Sequence, residues 1–155
     1  MDTSTDRIER NIFLKAPVSR VWRALSQAEE FGNWFGVSLR GKTMKVGETL
    51  EGPVTYPGYE HIIMRVKIER MEPERSLAWR WHPAANDPTR DYSSEPMTLV
   101  VFELQEVPGG THLRVVESGL DSIPIERRAH VFRLNSEGWD EQMINIEKHV
   151  ASSQG

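Results

Sequence analysis

The chain contains no cysteine, which removes disulfide staples, thiolate metal sites and cysteine nucleophiles together. No apolar run approaches the ~20 residues that a membrane-spanning helix needs. The first seven residues are polar and lack the apolar stretch of a secretory signal, so the expected location is the cytoplasm. An excess of basic charge is missing too. Lys and Arg number 19 against 23 Asp and Glu, a formal charge of −4, and nothing electrostatic favours nucleic acid. No serine sits in a Gly-x-Ser-x-Gly setting and no glycine-rich phosphate loop is present. His61, His82, His112, His130 and His149 form no HxH or HxxxH pair, so neither zinc nor any other metal or cofactor is expected.

What remains is a 155-residue chain that reads as one domain, 1–155, with disordered tails expected at 1–6 and 151–155. A domain this long buries about 70% of its unfolded surface. Residues 8–14 alternate, Ile8, Arg10, Ile12 and Leu14 against Glu9, Asn11 and Phe13, which predicts a strand. Pro17 stands where a helix begins without losing a hydrogen bond, and Val18, Val21, Trp22 and Leu25 recur at helical spacing. A second short helix is expected over 27–35, ended by Gly36. Residues 37–46 read as a short strand and turn, and 48–56 as a strand. After the Pro57-Gly58 turn, Ile62, Met64, Val66 and Ile68 alternate with Ile63, Arg65, Lys67 and Glu69. Leu77, Trp79 and Trp81 then share one side of a strand. Residues 83–95 are polar and aperiodic, a loop long enough to serve as a lid, with simple disorder as the competing explanation. Thr98, Val100, Phe102 and Leu104 mark the next strand. Beyond Pro108-Gly109-Gly110, Leu113, Val115 and Glu117 share a face of the last one.

The segment 124–150 is the most informative. Ile125, Ala129, Phe132, Ser136, Trp139, Met143, Ile146 and Val150 recur at steps of three and four, so they share a face of a helix roughly 40 Å long. Gly138 sits within it at a cost of ~1 kcal/mol relative to alanine, which suggests close approach by sheet or ligand. Arg127, Arg128 and Arg133 read as a solvated face, with an anion site as the alternative. The order of strand, two helices, several turn-linked strands and a final helix implies an α+β fold with helices on one face of an antiparallel sheet. A curved sheet gripping such a helix leaves a hollow, and that hollow is the functional feature.

Lys15-Ala16-Pro17, Val21-Trp22-Arg23-Ala24-Leu25, Phe31 and Trp34-Phe35-Gly36 together resemble the opening of the activator of heat-shock-protein-90 ATPase homologue-like family. Glu117-Ser118-Gly119, Asn135 and Gly138-Trp139 are similar to its closing motif, so the resemblance spans nearly the whole chain. It implies the START-like, or Bet v 1-like, helix-grip fold: a curved antiparallel sheet wrapped around a long C-terminal helix. The wider SRPBCC superfamily includes lipid and hydrophobe carriers, polyketide cyclases and aromatases.

Within such a fold, Trp34, Phe35, Met64, Trp79, Trp81, Phe102, Trp139 and Met143 suit a cavity for a flat apolar ligand. Val66, Val100 and Val115 fall on the same inward faces. Plain core packing accounts for these residue types equally well. Glu117 continues the inward face, where a carboxylate is costly unless paired or hydrogen-bonded. There it orients a ligand or moves protons; alternatively the strand ends and Glu117 reaches solvent. Asn135, beside the helical stripe, offers a polar contact to ligand or strand. These thirteen residues are the expected ligand-binding set. The expected function is binding of a hydrophobic small molecule, aromatic, polyketide-like or lipid, between sheet and C-terminal helix, with no nucleic-acid or membrane partner and a homodimer in scope. Two other readings stand beside it. One is a cyclase or aromatase-type enzyme using Glu117, His61 and Asn135 to shuttle protons. The other is a co-chaperone-like interaction module with a filled core and an exposed apolar patch.

Overall fold

The computed structural model describes residues 5–87 and 89–152. Its elements are β1 (Arg7–Leu14), α1 (Val18–Ser26), α2 (Ala28–Phe35), β2 (Thr49–Pro53), β3 (Ile63–Glu72), β4 (Ser76–Trp81), β5 (Thr98–Val107), β6 (Gly110–Ser118) and α3 (Ile125–Ser152). Six strands form one antiparallel sheet in the order β1-β6-β5-β4-β3-β2. Turn-linked strands lie side by side, and β1 returns to close the register on β6, with Ile8 opposite Glu117. This is the expected α+β helix-grip arrangement. The outer parts of the expected tails, 1–4 and 153–155, lie outside the described residues. Thr5 and Asp6 are bonded to the turn before α3, Thr5 Oγ1 to Asp121 Oδ1 at 2.7 Å and the Leu120 N–H to the Asp6 carbonyl at 3.0 Å.

Alternation decides which side chains face inward. Thr98, Val100, Phe102 and Leu104 of β5 and Thr111, Leu113, Val115 and Glu117 of β6 are all buried, following the period of two. Residues 37–46 form no strand; Val37 makes a single bridge to Val54, and burial of Val37, Leu39 and Met44 anchors the segment instead. Two glycines permit this crossing. A Cβ on Gly32 would stand 2.2 Å from the Val37 carbonyl oxygen, and one on Gly52 1.9 Å from that of Ser38.

Helix α3 departs from the predicted stripe in its first half. The buried residues are Val131, Asn135, Trp139, Met143, Ile146 and Val150, while Ile125 is 74% exposed and Ala129 is exposed. Leu120 and Ile123, just before the helix, are fully buried and fill the core beneath its first turn, so Ile125 and Ala129 lie outside it. Gly138 is also corrected. A Cβ there meets nothing within 4 Å, so no close approach explains it. Gly138→Ala is therefore expected to raise stability by about 0.5–1 kcal/mol. An unchanged or lowered urea midpoint would contradict this.

Candidate functional site

Aromatic side chains of the sheet and of α2 and α3 meet around Trp79. Its ring lies 4.9 Å from Trp81, 5.9 Å from Phe102, 6.2 Å from Phe35, 6.3 Å from Phe31 and 6.5 Å from Trp139, centroid to centroid. Several of these pairs meet edge to face, the favoured geometry for interacting quadrupoles. Trp34 anchors the cluster to α1 through its indole N–H, which donates to the Ala24 carbonyl at 2.8 Å.

Beside the rings lies Glu117, fully buried. Its Oε1 accepts from the Trp139 indole at 2.9 Å and from Asn135 at 2.9 Å. Its Oε2 accepts from the Trp81 indole at 2.8 Å, from the Thr98 hydroxyl at 2.6 Å and from Asn135 at 3.1 Å. Four side chains thus converge on one carboxylate. Hydrogen bonds to a charged acceptor are about twice as strong as neutral ones, and they offset the cost of taking the charge out of water. The carboxylate joins three elements: β4 through Trp81, β5 through Thr98, and α3.

Where the cluster reaches the loop side of the sheet, a cavity of about 500 Å³ opens. Phe35, Met64 and Trp81 are among its apolar lining, joined by Val54, Tyr56 and residues 61–63 from the β2–β3 connection and the start of β3, and by residues 82, 84–87 and 90–93 from the loop after β4. Gln142 of α3 also borders it, with its amide donating to the Phe35 carbonyl at 2.8 Å.

The loop from 82 to 97 is closed at its neck at three levels. Deepest, Trp81 and Thr98 share Glu117 Oε2. Above them, His82 Nε2 lies 3.0 Å from the Glu95 carbonyl oxygen. Outermost, Arg127 Nη2 of α3 donates to the Pro83 carbonyl at 3.3 Å and to the Glu95 carboxylate at 3.0 Å, and Arg90 meets that carboxylate at 2.6 Å. The Tyr92 ring lies against both guanidinium groups, 4.9 Å from Arg127 and 5.4 Å from Arg90, a cation–π arrangement. Among the described residues no group of three His, Asp or Glu side chains stands close enough to hold a metal ion, and no helix is long and apolar enough to cross a membrane.

A family model described as Activator of Hsp90 ATPase homolog 1-like protein matches residues 15–151. The chain belongs to that family. Solved structures agree with the fold. A protein from Mesorhizobium loti superposes with a TM-score of 0.71 at 22% identity, covering 96% of this chain and 99% of its own. A protein from Arthrobacter aurescens gives a TM-score of 0.76 at 15% identity over 100% and 91% of the two chains. The Aha1 dimer from Colwellia psychrerythraea gives 0.68 at 19% identity over 96% and 98%. At these identities the likeness is one of fold. No curated protein matches the chain.

Within this Hsp90-activator-like fold the thirteen expected binding residues separate into two groups. Phe35, Met64 and Trp81 border the cavity. Trp34, Val66, Trp79, Val100, Phe102, Val115, Glu117, Asn135, Trp139 and Met143 are buried and do not border it. His61 borders it at an exposed position. Arg127 corrects the expected solvated face: its side chain is 11% exposed and pairs with a Glu95 side chain that is 8% exposed. His82, Tyr92 and Glu95 were given no role at the cavity by the sequence, and Arg127 was placed in solvent. The local signal for His82 was its place directly after Trp81 at a strand end. Arg127 and Glu95 are 32 residues apart, and no periodicity links them.

Proposed function

We propose that the protein binds a small, flat, largely apolar molecule in the cavity bordered by Phe35, Met64 and Trp81. The observation that carries this reading is the hollow of about 500 Å³ built on the outermost rings of the aromatic cluster. Its volume lies within the range of roughly 300–1,000 Å³ that small-molecule sites occupy. Trp81 brings no free donor to the cavity, because its N–H is committed to Glu117. An apolar wall with polar groups at the rim is the usual composition of such sites. Residues 84–87 and 90–93 border the cavity, and the loop that carries them serves as the lid. Binding is favoured over turnover because Glu117, the strongest internal acid–base candidate, is saturated by donors and does not border the cavity. The dimer formed by the Colwellia relative supports a homodimer here.

Naphthalene is a suitable probe. Quenching of tryptophan emission is expected to report one site with a Kd of about 10–100 μM, in keeping with a ligand of so few atoms. Ala85 lines the cavity from the loop, so Ala85→Trp fills it without touching the core. That variant is expected to bind at least about tenfold more weakly with an unchanged Tm. Equal affinity in parent and variant would place the binding elsewhere and defeat the proposal.

A further inference from the structure

We propose that His82 is the specificity-determining acceptor of this cavity, so that the preferred ligand is a flat ring bearing a hydroxyl, a phenol or an enol. The inference rests on the cavity reading above and adds to it the chemistry of the bound molecule.

His82 follows Trp81 directly at the end of β4, is half-buried and borders the cavity. Its Nε2 lies 3.0 Å from the Glu95 carbonyl oxygen. A carbonyl oxygen only accepts, so Nε2 holds the proton of that bond. In the neutral ring Nδ1 then carries a bare lone pair. The tautomer is fixed by a well-held partner, since the Glu95 side chain is gripped by both Arg90 and Arg127.

Other half-buried polar groups on the cavity wall already have partners. Gln142 donates to the Phe35 carbonyl and accepts from Asn145. The Tyr92 hydroxyl accepts from the Asp87 N–H at 3.2 Å. His82 therefore brings an uncommitted acceptor to the edge of an apolar wall made by Trp81 and Phe35. A molecule whose ring lies on that wall and whose hydroxyl meets Nδ1 satisfies both features. One that lacks the hydroxyl leaves the acceptor without the partner the site is built for.

The test compares 2-naphthol with naphthalene on the intact protein and on His82→Phe. The parent is expected to bind 2-naphthol about tenfold more tightly, as one added hydrogen bond predicts. His82→Phe, its fold checked by far-UV circular dichroism and thermal melting, is expected to bring the ratio of the two affinities to about one. Equal affinities in the parent, or a preference that survives in His82→Phe, would overturn the role of His82 and leave the cavity reading standing. If neither compound binds the parent, the cavity reading fails and this inference with it. The ¹⁵N resonance of Nδ1 in the parent gives an answer independent of the variant. It moves when 2-naphthol is added if Nδ1 accepts the hydrogen bond, and a resonance that stays in place rejects the inference.

Discussion

Glu117→Ala is expected to destabilise the protein by roughly 4–6 kcal/mol and leave it largely unfolded near 37 °C. The carboxylate serves Trp81, Thr98, Asn135 and Trp139, and each buried donor left without a partner costs about 1–3 kcal/mol. A water entering the space of the lost side chain returns part of this. Small domains have only about 5–15 kcal/mol in total, so the remainder is decisive. Glu117→Gln is expected to cost less, about 1–3 kcal/mol, for a specific reason. Its amide has one oxygen and one nitrogen where the carboxylate has two acceptors. With the nitrogen at the Oε1 position the Trp139 indole N–H loses its acceptor; at the Oε2 position the Trp81 N–H does. Asn135 can turn its amide and Thr98 can rotate its hydroxyl to adapt, but an indole only donates. Urea denaturation of the three proteins checks the order. An alanine variant within about 1 kcal/mol of the parent would show that the network does not hold the fold together.

Trp79→Ala is expected to cost about 3–5 kcal/mol, the usual penalty for deleting a large buried ring. Trp79 is fully buried and stands among Phe31, Phe35, Trp81, Phe102 and Trp139. Its indole nitrogen has no hydrogen-bond partner, so truncation leaves no acceptor unpaired and the loss is one of packing alone. Trp79→Phe should accordingly cost less, about 1–2 kcal/mol. The void left in the alanine variant would be wholly apolar, and such voids stay dry and take up benzene. Benzene is thus expected to raise the Tm of Trp79→Ala by more than it raises that of the parent. A cost below about 1.5 kcal/mol, or no response to benzene, would mean that the neighbouring rings collapse into the gap.

The order of elements was readable because period and punctuation are local properties. The period of two placed Val100, Phe102, Leu113, Val115 and even Glu117 on the inward face, and the family motif singled out Asn135 and Trp139 beside it. That these last three would join Trp81 and Thr98 in one network depends on the register of β5 on β6, where Val100 stands opposite Glu117. Register is a matter of pairing between strands, which composition does not reveal. The cavity was harder still to place. Residue types show that Trp79, Phe102 and Trp139 are inside, but whether large rings leave a space or fill it depends on how they interlock. Arg127 misled for a related reason: among Glu126, Arg128 and Arg133 it has the company of a solvated residue, and its partner comes from a loop whose path the sequence does not specify.

Closure of the 82–97 loop at its neck separates two properties that compact proteins usually have to trade against each other. With Trp81, His82 and Pro83 tied to Thr98, Glu95 and Arg127, the distance between the loop's ends is set below its tip. Changing the length of a segment closed in this way costs little, about 0.6 kcal/mol per doubling of an unstructured loop. Residues 86–93 can therefore be exchanged, lengthened or shortened while the aromatic interior and the buried carboxylate remain as they are. On the proposed reading, the part of the cavity wall that residues 86, 87 and 90–93 supply is the part most tolerant of variation, so one scaffold of this kind can be varied there, or redesigned toward a chosen ligand, without being rebuilt.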